Sequence, residues 1–336
     1  MAMMGSSSSK YLSVSLIAVP SFILLLRFLA AFPLPPEDVA VYPSLASLPK
    51  DSRSWSIYPE NFYEGGNYVR FPFGRVRYWL FGPEDGQKIV LVHGLSIPAI
   101  IWKDVAPQLA GKGFRVLVYD LYGRGYSDAP NMSYTGGLYT TQLALLMQHV
   151  HWERAHIVGL SMGGGIATSF AATFPNLTTG KVALIASTGI MESSDLSRTS
   201  KVMSSPVVQY IASSGIVHFF LQRLGAGEPS PNPIHEIVRI QSAFLPGYNN
   251  ALASSLRHGP LRGLQSSFTT LSELKSDLLL IWGTADNTVP YRYAAKIQGL
   301  VPNSTLLTVQ GGHHDLTVSH PDIVTNALIS FFRSSK

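Results

Sequence analysis

Short apolar runs recur along the chain, and the segments between them have the residue spacing of helices. The runs lack the apolar–polar alternation of a half-buried strand, which favours strands that are buried on both faces of a parallel sheet. The clearest runs are residues 88–92, 114–119, 155–158, 181–187 and 277–283. The pattern predicts one large α/β domain, for which a chain of 336 residues is long enough.

The run at residues 155–158 leads into the pentapeptide Gly-Leu-Ser-Met-Gly at 159–163, with Ser161 at its centre. Residues 162–172 follow with a helical pattern and a glycine-rich start. A nucleophile between a strand and a helix has a strained backbone, so its neighbours two positions away must be small. Glycine and serine are common in loops, so the pentapeptide alone is a weak signal. Its context of strand and helix predicts that Ser161 is a nucleophile.

Two further stretches extend this motif. Residues 88–96 join a strand-like run to His-Gly-Leu, and residues 114–127 join another to the pattern D-x-x-G-x-G-x-S. With the pentapeptide, they resemble the α/β-hydrolase superfamily over roughly residues 68–333. The resemblance implies the α/β-hydrolase fold, with a mostly parallel eight-stranded sheet, helices on both faces and a helical lid.

The resemblance also implies an oxyanion hole made of two backbone N–H groups. One comes from the residue after the glycine in the strand-His-Gly loop, and the other from the residue after the nucleophile. In this sequence these predicted donors are Leu95 and Met162. We interpret His93 as a structural histidine that shapes the loop, and Asp120 and Arg124 as scaffold.

A serine nucleophile needs a base, and the base needs a carboxylate that orients it. Asp286 lies in a stretch that resembles the family pattern W-G-x-x-D-x-x-V-P, although a simple turn aspartate would also fit this residue alone. His313 and His314 compete for the base. The preceding glycine favours His313, whereas a gap-free register to the downstream His-Pro favours His314. The predicted triad is Ser161, Asp286 and His314, in the chain order of the family.

No metal or cofactor is predicted. The His-His-Asp sequence at residues 313–315 is a poor metal cluster, because adjacent residues seldom present ligands to one ion and no further motif has zinc-type spacing. The chain has no cysteine, which excludes a disulfide framework, a thiol nucleophile and a thiolate metal site. Its net charge of +5 is spread without a basic run, so no nucleic-acid partner is predicted.

These residues predict a serine hydrolase that cleaves lipophilic carboxylic esters through an acyl-enzyme. The chain is similar to membrane-anchored monoacylglycerol lipases, and it also resembles the carbon–carbon bond hydrolases that share Ser-Met-Gly-Gly. Three alternatives stay open at this point. Two are other enzymes, a carbon–carbon bond hydrolase and an acyl-transfer enzyme of a biosynthetic pathway, which would use the same acyl-enzyme. The third is a non-catalytic ligand receptor on the same fold.

The N-terminus contains an uncharged, mostly apolar run at residues 11–26, with Lys10 before it and Arg27 after it. We expect residues 1–32 to be a signal anchor, which would give a single-pass protein of the endoplasmic reticulum or another secretory-route membrane, attached through residues 11–32. A cleaved signal peptide, giving a secreted protein, and a segment packed on the domain are the alternatives. Three Asn-x-Ser/Thr triplets would permit glycosylation of a lumenal domain, at Asn131, Asn176 and Asn303.

The predicted domain organisation follows from these segments. Residues 33–66 are proline-rich at their start and are predicted to be a linker. Residues 67–188 and 267–336 are predicted to form the hydrolase core, and the helical lid is predicted at 189–266. Within the lid, the apolar runs at 207–211 and 216–221 are expected to roof a pocket for an acyl chain or an aromatic group.

Overall fold

The computed structural model describes residues 18–28, 38–205, 208 and 230–334. The chain divides into two compact units, Met1–Val39 and Ala40–Lys336. In the first unit, residues 18–28 form a helix whose side chains are exposed. The second unit holds the strands and both hydrophobic cores that are given below, and it therefore holds every residue of the predicted site.

A central sheet organises the second unit. The strands are β1 Val41–Tyr42, β2 Gly66–Phe71, β3 Gly74–Phe81, β4 Gln87–Val92, β5 Phe114–Tyr119, β6 Ala129–Pro130, β7 Ala155–Leu160, β8 Thr178–Ile185, β9 Asp277–Gly283 and β10 Thr305–Val309. β1 and β6 pair with each other, and the other eight strands form one sheet in the order β10-β9-β8-β7-β4-β5-β3-β2. β3 is antiparallel to both of its neighbours, and the remaining pairs are parallel. The predicted mostly parallel eight-stranded sheet is confirmed.

Helices pack on both faces of this sheet. The helices described in the second unit are α1 Ser54–Ile57, α2 Ala106–Gly111, α3 Gly136–His149, α4 Met162–Thr173, α5 Arg198–Met203, α6 Pro233–Phe244, α7 Tyr248–His258, α8 Gln265–Glu273, α9 Arg292–Leu300, α10 Leu316–Ser319 and α11 Pro321–Arg333. One core contains buried side chains of α3, α4, α8 and α9. The other contains those of α2, α6 and α11. Both faces of the parallel strands are therefore covered, which explains why their sequences are continuously apolar.

The chain reverses its direction across the sheet at β4. β5 follows β4 on one side of it, and β7 pairs with β4 on the other side. Ligands of open α/β sheets bind outside the carboxyl ends of the strands at such a switch point. The loop after β4 and the turn after β7 both lie there, so the topology places Leu95 beside Ser161.

Part of the predicted linker is packed into the second unit. Residues 40–66 contain β1, α1 and a 3-10 turn at Leu45–Ser47, and the side chains of Leu45, Tyr58 and Tyr63 are buried in the core. The linker prediction at 33–66 is therefore wrong for these residues. The physical reason is the apolar surface of the three side chains, which proline-rich composition does not reveal.

The membrane anchor predicted at residues 1–32 is contradicted. Among the described residues, no helix is both long enough and apolar enough to cross a membrane. This finding overturns the predicted attachment through residues 11–32 and the predicted single-pass localisation. Residues 1–17 and 29–37 lie outside the described residues.

The predicted lid segment is described in part. Its described portion includes a 3-10 turn at Ser193–Asp195 and the helices α5, α6 and α7. The apolar runs at 207–211 and 216–221, which were expected to roof the pocket, lie outside the described residues except for position 208. The domain boundaries at 188 and 267 therefore stay a prediction.

Candidate active site

The turn after β7 holds Ser161 in a backbone conformation that non-glycine residues seldom adopt. Its φ is 56° and its ψ is −121°. The surrounding hydrogen bonds fix this conformation: the Ser161 N–H donates to the carbonyl of Ile185 at 2.9 Å, and the Ser161 carbonyl accepts from the N–H groups of Gly164 and Thr188 at 2.9 and 3.0 Å. Such a conformation costs roughly 1–3 kcal/mol and persists only where the surroundings impose it. The side chain consequently projects from the carboxyl end of the sheet.

The two glycines of the pentapeptide allow close approach of the backbone. A Cβ at Gly159 would collide with the carbonyl oxygen of Gly163, and a Cβ at Gly163 would collide with that of Val92. Neither glycine has a positive φ, so close packing rather than conformational freedom selects glycine there. At the nucleophile elbow, residues 159–163, β7 and α4 therefore pack closely against each other and against β4.

The three predicted triad residues lie together. The Nε2 of His314 lies 2.9 Å from the Oγ of Ser161, and its Nδ1 lies 2.8 Å from an Oδ2 of Asp286. The other carboxylate oxygen of Asp286 accepts the N–H groups of Thr288 and Val289 at 2.8 and 2.9 Å. The Asp286 side chain is fully buried. Both of its oxygens are thus occupied, which fixes its orientation toward the imidazole.

His313 points away from the serine. Its side chain is exposed, and its Nδ1 lies 3.0 Å from the carbonyl oxygen of Ala285. Within the part of the chain that the structure describes, no group of three His, Asp or Glu side chains is placed to hold a metal ion. The two neighbouring histidines therefore make different contacts, and of these two it is His314 that reaches Ser161.

The loop after β4, residues 93–98, lies against the nucleophile, and we call it the oxyanion loop. An added Cβ at Gly94 would lie 3.3 Å from the Cβ of Ser161, which places the loop in contact with the elbow. Met162 is the first residue of α4, so its N–H has no partner four residues earlier within the helix. The predicted donors Leu95 and Met162 both line the cavity next to Ser161.

His93 holds the peptide that carries the Leu95 N–H. The ring is fully buried, and burial lowers the pKa of His93 to about 3. The Leu121 N–H donates to its Nε2 at 2.9 Å, so in the neutral ring the proton is on Nδ1, which donates to the Gly94 carbonyl at 2.9 Å. In a trans peptide the C=O and N–H point in opposite directions. Fixing the Gly94 carbonyl therefore also fixes the direction of the Leu95 N–H.

Asp120 anchors the far end of the oxyanion loop. Its buried carboxylate accepts the N–H groups of Ala99 and Tyr126, both at 2.8 Å, and the hydroxyl of Tyr58 at 3.0 Å. Burial raises the pKa of Asp120 to about 6, and these hydrogen bonds act in the opposite direction. Its contacts are to the scaffold and not to the cavity, in line with the interpretation made from the sequence.

A cavity of about 370 Å³ opens above Ser161 and His314. Its walls are largely apolar, with a polar side near the start of the predicted lid that includes Thr188, Ser197 and Ser200. The apolar wall residues are Ile97, Ile101, Leu160, Met191, Leu196, Leu256, Leu261 and Val289. Four of these come from the predicted lid segment. Sequence reasoning did not single them out, because an amphipathic pattern does not say which apolar residue faces a cavity and which faces the core.

Residues 89–327 match the profile of a family described as the alpha/beta hydrolase family. The chain is 29% identical over 266 residues to a pimeloyl-[acyl-carrier protein] methyl ester esterase of Edwardsiella ictaluri, covering 73% of this chain and 93% of the relative. It is 27% identical over 263 residues to a putative non-heme chloroperoxidase of Synechocystis, covering 74% of this chain and 92% of the relative.

The fold is similar to solved structures of hydrolases. A hydrolase from Pseudomonas aeruginosa superposes with a TM-score of 0.65 at 20% sequence identity, covering 80% of this chain and 98% of that protein. At this identity the similarity concerns the fold alone. It agrees with the sheet order and with the position of the elbow after β7.

Proposed function

The chain belongs to the alpha/beta hydrolase family, and from this premise we propose that it is a serine hydrolase that cleaves lipophilic carboxylic esters through an acyl-enzyme. One observation carries the proposal. A continuous hydrogen-bonded chain runs from Asp286 through His314 to Ser161, and Ser161 lies at the floor of a largely apolar cavity. Hydrolases and esterases among the similar proteins support an enzyme of this class.

Acylation begins with the ester carbonyl above Ser161. As the bond between Oγ and the carbonyl carbon forms, His314 Nε2 takes the hydroxyl proton and the π electron pair of the C=O moves to its oxygen. The backbone N–H groups of Leu95 and Met162 stabilise this oxyanion. When the C=O re-forms, the bond from carbon to the alcohol oxygen breaks. The alcohol leaves with the proton from His314, and the acyl group stays on Ser161.

Deacylation repeats the steps with water. His314 Nε2 removes a proton from water as the water oxygen bonds to the acyl carbon, and the same two N–H groups donate hydrogen bonds to the second oxyanion. Collapse releases the carboxylic acid and returns the proton to Ser161 Oγ. Through both halves, Asp286 holds the Nδ1–H of the imidazole, so that Nε2 is free to act as a base, and it stabilises the imidazolium that forms.

The cavity walls support a lipophilic acyl group. Leu256 and Leu261 face the space above Ser161 together with Ile97 and Ile101 of the oxyanion loop region. Each methylene that leaves water for such a site contributes about 0.8 kcal/mol. The similarity to an esterase of a pimeloyl methyl ester agrees with an aliphatic acyl chain. We also propose that residues 189–266 form the lid. Its described part contributes Met191, Leu196, Leu256 of α7 and Leu261 of the following loop to the cavity wall.

A chain-length series tests this proposal. p-Nitrophenyl esters from acetate to dodecanoate should give a kcat/KM that rises by about fourfold per methylene until the cavity is filled. Replacing Leu256 by Ser should flatten this rise more than it lowers acetate hydrolysis, whereas the exposed Leu274→Ser control should leave the series unchanged. A strict preference for acetate in the wild type, with no change in the Leu256→Ser series, would remove the lipophilic assignment.

A further inference from the structure

Three consecutive carbonyls of the oxyanion loop each accept a side-chain hydrogen bond. His93 Nδ1 donates to Gly94 O at 2.9 Å, Arg124 Nε donates to Leu95 O at 2.8 Å, and Tyr248 Oη donates to Ser96 O at 2.8 Å. The donors come from the loop itself, from the loop after β5 and from the first residue of α7. The conformation of the loop is therefore set by groups that are far apart in the sequence.

Arg124 joins the oxyanion loop to α7. Its side chain is fully buried, and its Nη2 lies 2.9 Å from Ser255 Oγ on α7, while Nε holds the Leu95 carbonyl. Nη1 donates to the carbonyl of Tyr122 and to the hydroxyl of Tyr139 at 3.0 and 2.9 Å. All these acceptors are neutral, and no ion pair of Arg124 occurs among the described residues.

A buried guanidinium without a carboxylate partner is costly, and a hydrophobic residue would fill the same space more cheaply. Its rigid fork, however, holds acceptors on separate elements in one fixed geometry. Arg124 therefore holds α7 and the oxyanion loop in a fixed position relative to each other.

Tyr248 makes the second link between α7 and the loop. Its ring is buried, and burial raises the pKa of Tyr248, so its hydroxyl is a donor at neutral pH. The neighbouring helix α6 reaches the same region, because Gln241 Oε1 accepts the N–H of Gly125, next to Arg124, at 2.7 Å. The contacts of α7 are thus directed to the loop that carries a predicted oxyanion donor.

We propose that Arg124 and Tyr248 are positioning residues through which α7, in the predicted lid segment, sets the geometry of the oxyanion hole. This inference rests on the proposed serine hydrolase function. Donors stabilise an oxyanion only when they lie about 2.7–3.1 Å from its position, and a site tolerates displacements of about 0.5 Å. The Leu95 N–H is in a loop, so its place depends on what holds the carbonyls on either side of it.

The test separates positioning from simple stabilisation. Tyr248→Phe removes only the hydroxyl, and its matched control is Tyr78→Phe, a buried tyrosine whose hydroxyl lies 3.1 Å from His149 Nε2, away from the cavity. Arg124→Lys keeps the charge but loses the fork, and its control is the buried Arg77→Lys, which contacts the Glu60 carbonyl. Measured for each variant are the melting temperature, kcat and KM for a p-nitrophenyl ester, and Ki for an alkyl trifluoromethyl ketone.

The ketone reports on the oxyanion directly. Its carbonyl carbon bonds to Ser161 Oγ, the hydroxyl proton passes to His314, and the C=O electron pair moves to the oxygen that the hole holds. Removing a direct oxyanion donor costs about 10²–10³ in kcat, so a displaced donor should cost less, about tenfold. We expect Tyr248→Phe and Arg124→Lys to lower kcat about tenfold and to raise Ki by a similar factor, with KM within about twofold of wild type.

Equal losses of melting temperature in variants and controls, with kcat and Ki all within twofold of wild type, would overturn the positioning role. If Arg124→Lys does not fold, Tyr248→Phe decides the question alone. Failure of the proposed function is a different outcome, because the wild type itself would then neither hydrolyse the ester nor bind the ketone. Wild-type activity with unchanged Tyr248→Phe kinetics overturns only the inference.

Discussion

The nucleophile elbow and the oxyanion loop lie side by side, yet they are held in different ways. The elbow is fixed by backbone contacts, since Gly159 and Gly163 let strand and helix meet without a Cβ between them. The oxyanion loop is fixed by side chains, with His93 and Arg124 on its carbonyls. The elbow should therefore tolerate almost no added atom, whereas the loop should lose function gradually as its anchors are removed.

The largest expected effect concerns the base that serves the elbow. His314→Gln removes the group that lies 2.9 Å from Ser161 Oγ, and turnover should fall on the order of 10⁶. His313→Gln is the matched control, because the His313 Nδ1 lies against the Ala285 carbonyl, and this variant should stay within about threefold of wild type. Esterase assays on both variants at equal folded concentration decide the assignment. An active His314→Gln beside a dead His313→Gln would reverse it.

The acid should show the next largest effect. Asp286→Asn keeps the size of the side chain but no longer favours the Nδ1–H tautomer of His314, so kcat should fall by about 10⁴. The exposed Asp322→Asn, which contacts Gln108 on the surface, is the control. Circular dichroism should report intact folding for both. A kcat for Asp286→Asn within tenfold of wild type would mean that another group orients the imidazole.

The backbone clamp of the elbow can be broken with one methyl group. Gly163→Ala places a Cβ against the Val92 carbonyl, and overpacking of this kind costs about 1–3 kcal/mol of unfolding free energy. Gly299→Ala, in α9, meets no atom within 4 Å and should instead stabilise the helix by about 1 kcal/mol. Urea unfolding compares the two. A Gly163→Ala protein as stable and active as wild type would show that the elbow is less tightly packed than the structure indicates.

The pH dependence of stability tests the burial of His93 in the oxyanion loop. Burial lowers the pKa of His93 to about 3 from 6.5, so the unfolded chain binds the proton first as the pH falls. The contribution of His93 to the free energy of unfolding is complete above about pH 6.5 and is smaller by about 2 kcal/mol at pH 5. Asp120 acts in the opposite direction, because its raised pKa of about 6 favours the folded, protonated form below that pH.

Two histidine variants distinguish an effect on the oxyanion loop from a general effect on stability. His156 also has a pKa lowered by burial, to about 4, but it contacts Thr179 at the amino end of the sheet. Urea unfolding between pH 7.5 and 5 should show a flatter profile for both His93→Gln and His156→Gln. Only His93→Gln should also lower kcat/KM, by about tenfold, since it alone holds the Gly94 carbonyl. Wild-type kinetics for His93→Gln would contradict the role of the side-chain anchors.

The same contrast explains what could be read from the sequence. The elbow lies within five residues, and its small neighbours and flanking elements are local, so the position of Ser161 between β7 and α4 was predictable. The sheet followed from its continuously apolar strands. The anchors of the oxyanion loop were not predictable, because Tyr248 contacts Ser96 over 152 positions and no local pattern records such a contact. The packing of residues 40–66 was also not predictable, because the buried aromatic residues of this segment occur singly in the sequence.

The N-terminal error has a different cause. Apolar composition at residues 11–26 indicates burial of some kind, but a membrane span depends on helix length as well. Among the described residues, no helix is both long enough and apolar enough to cross a membrane.

Covalent labelling tests directly whether Ser161 is the nucleophile. The full-length protein is treated with a fluorophosphonate, and the adduct is located by mass spectrometry of its peptides. We predict one adduct per chain, on Ser161. It should be absent in Ser161→Ala and form slower by several orders of magnitude in His314→Gln, while the exposed Ser319→Ala control should label as wild type does. Absence of labelling in the folded wild type, or an adduct that persists in Ser161→Ala, would contradict it.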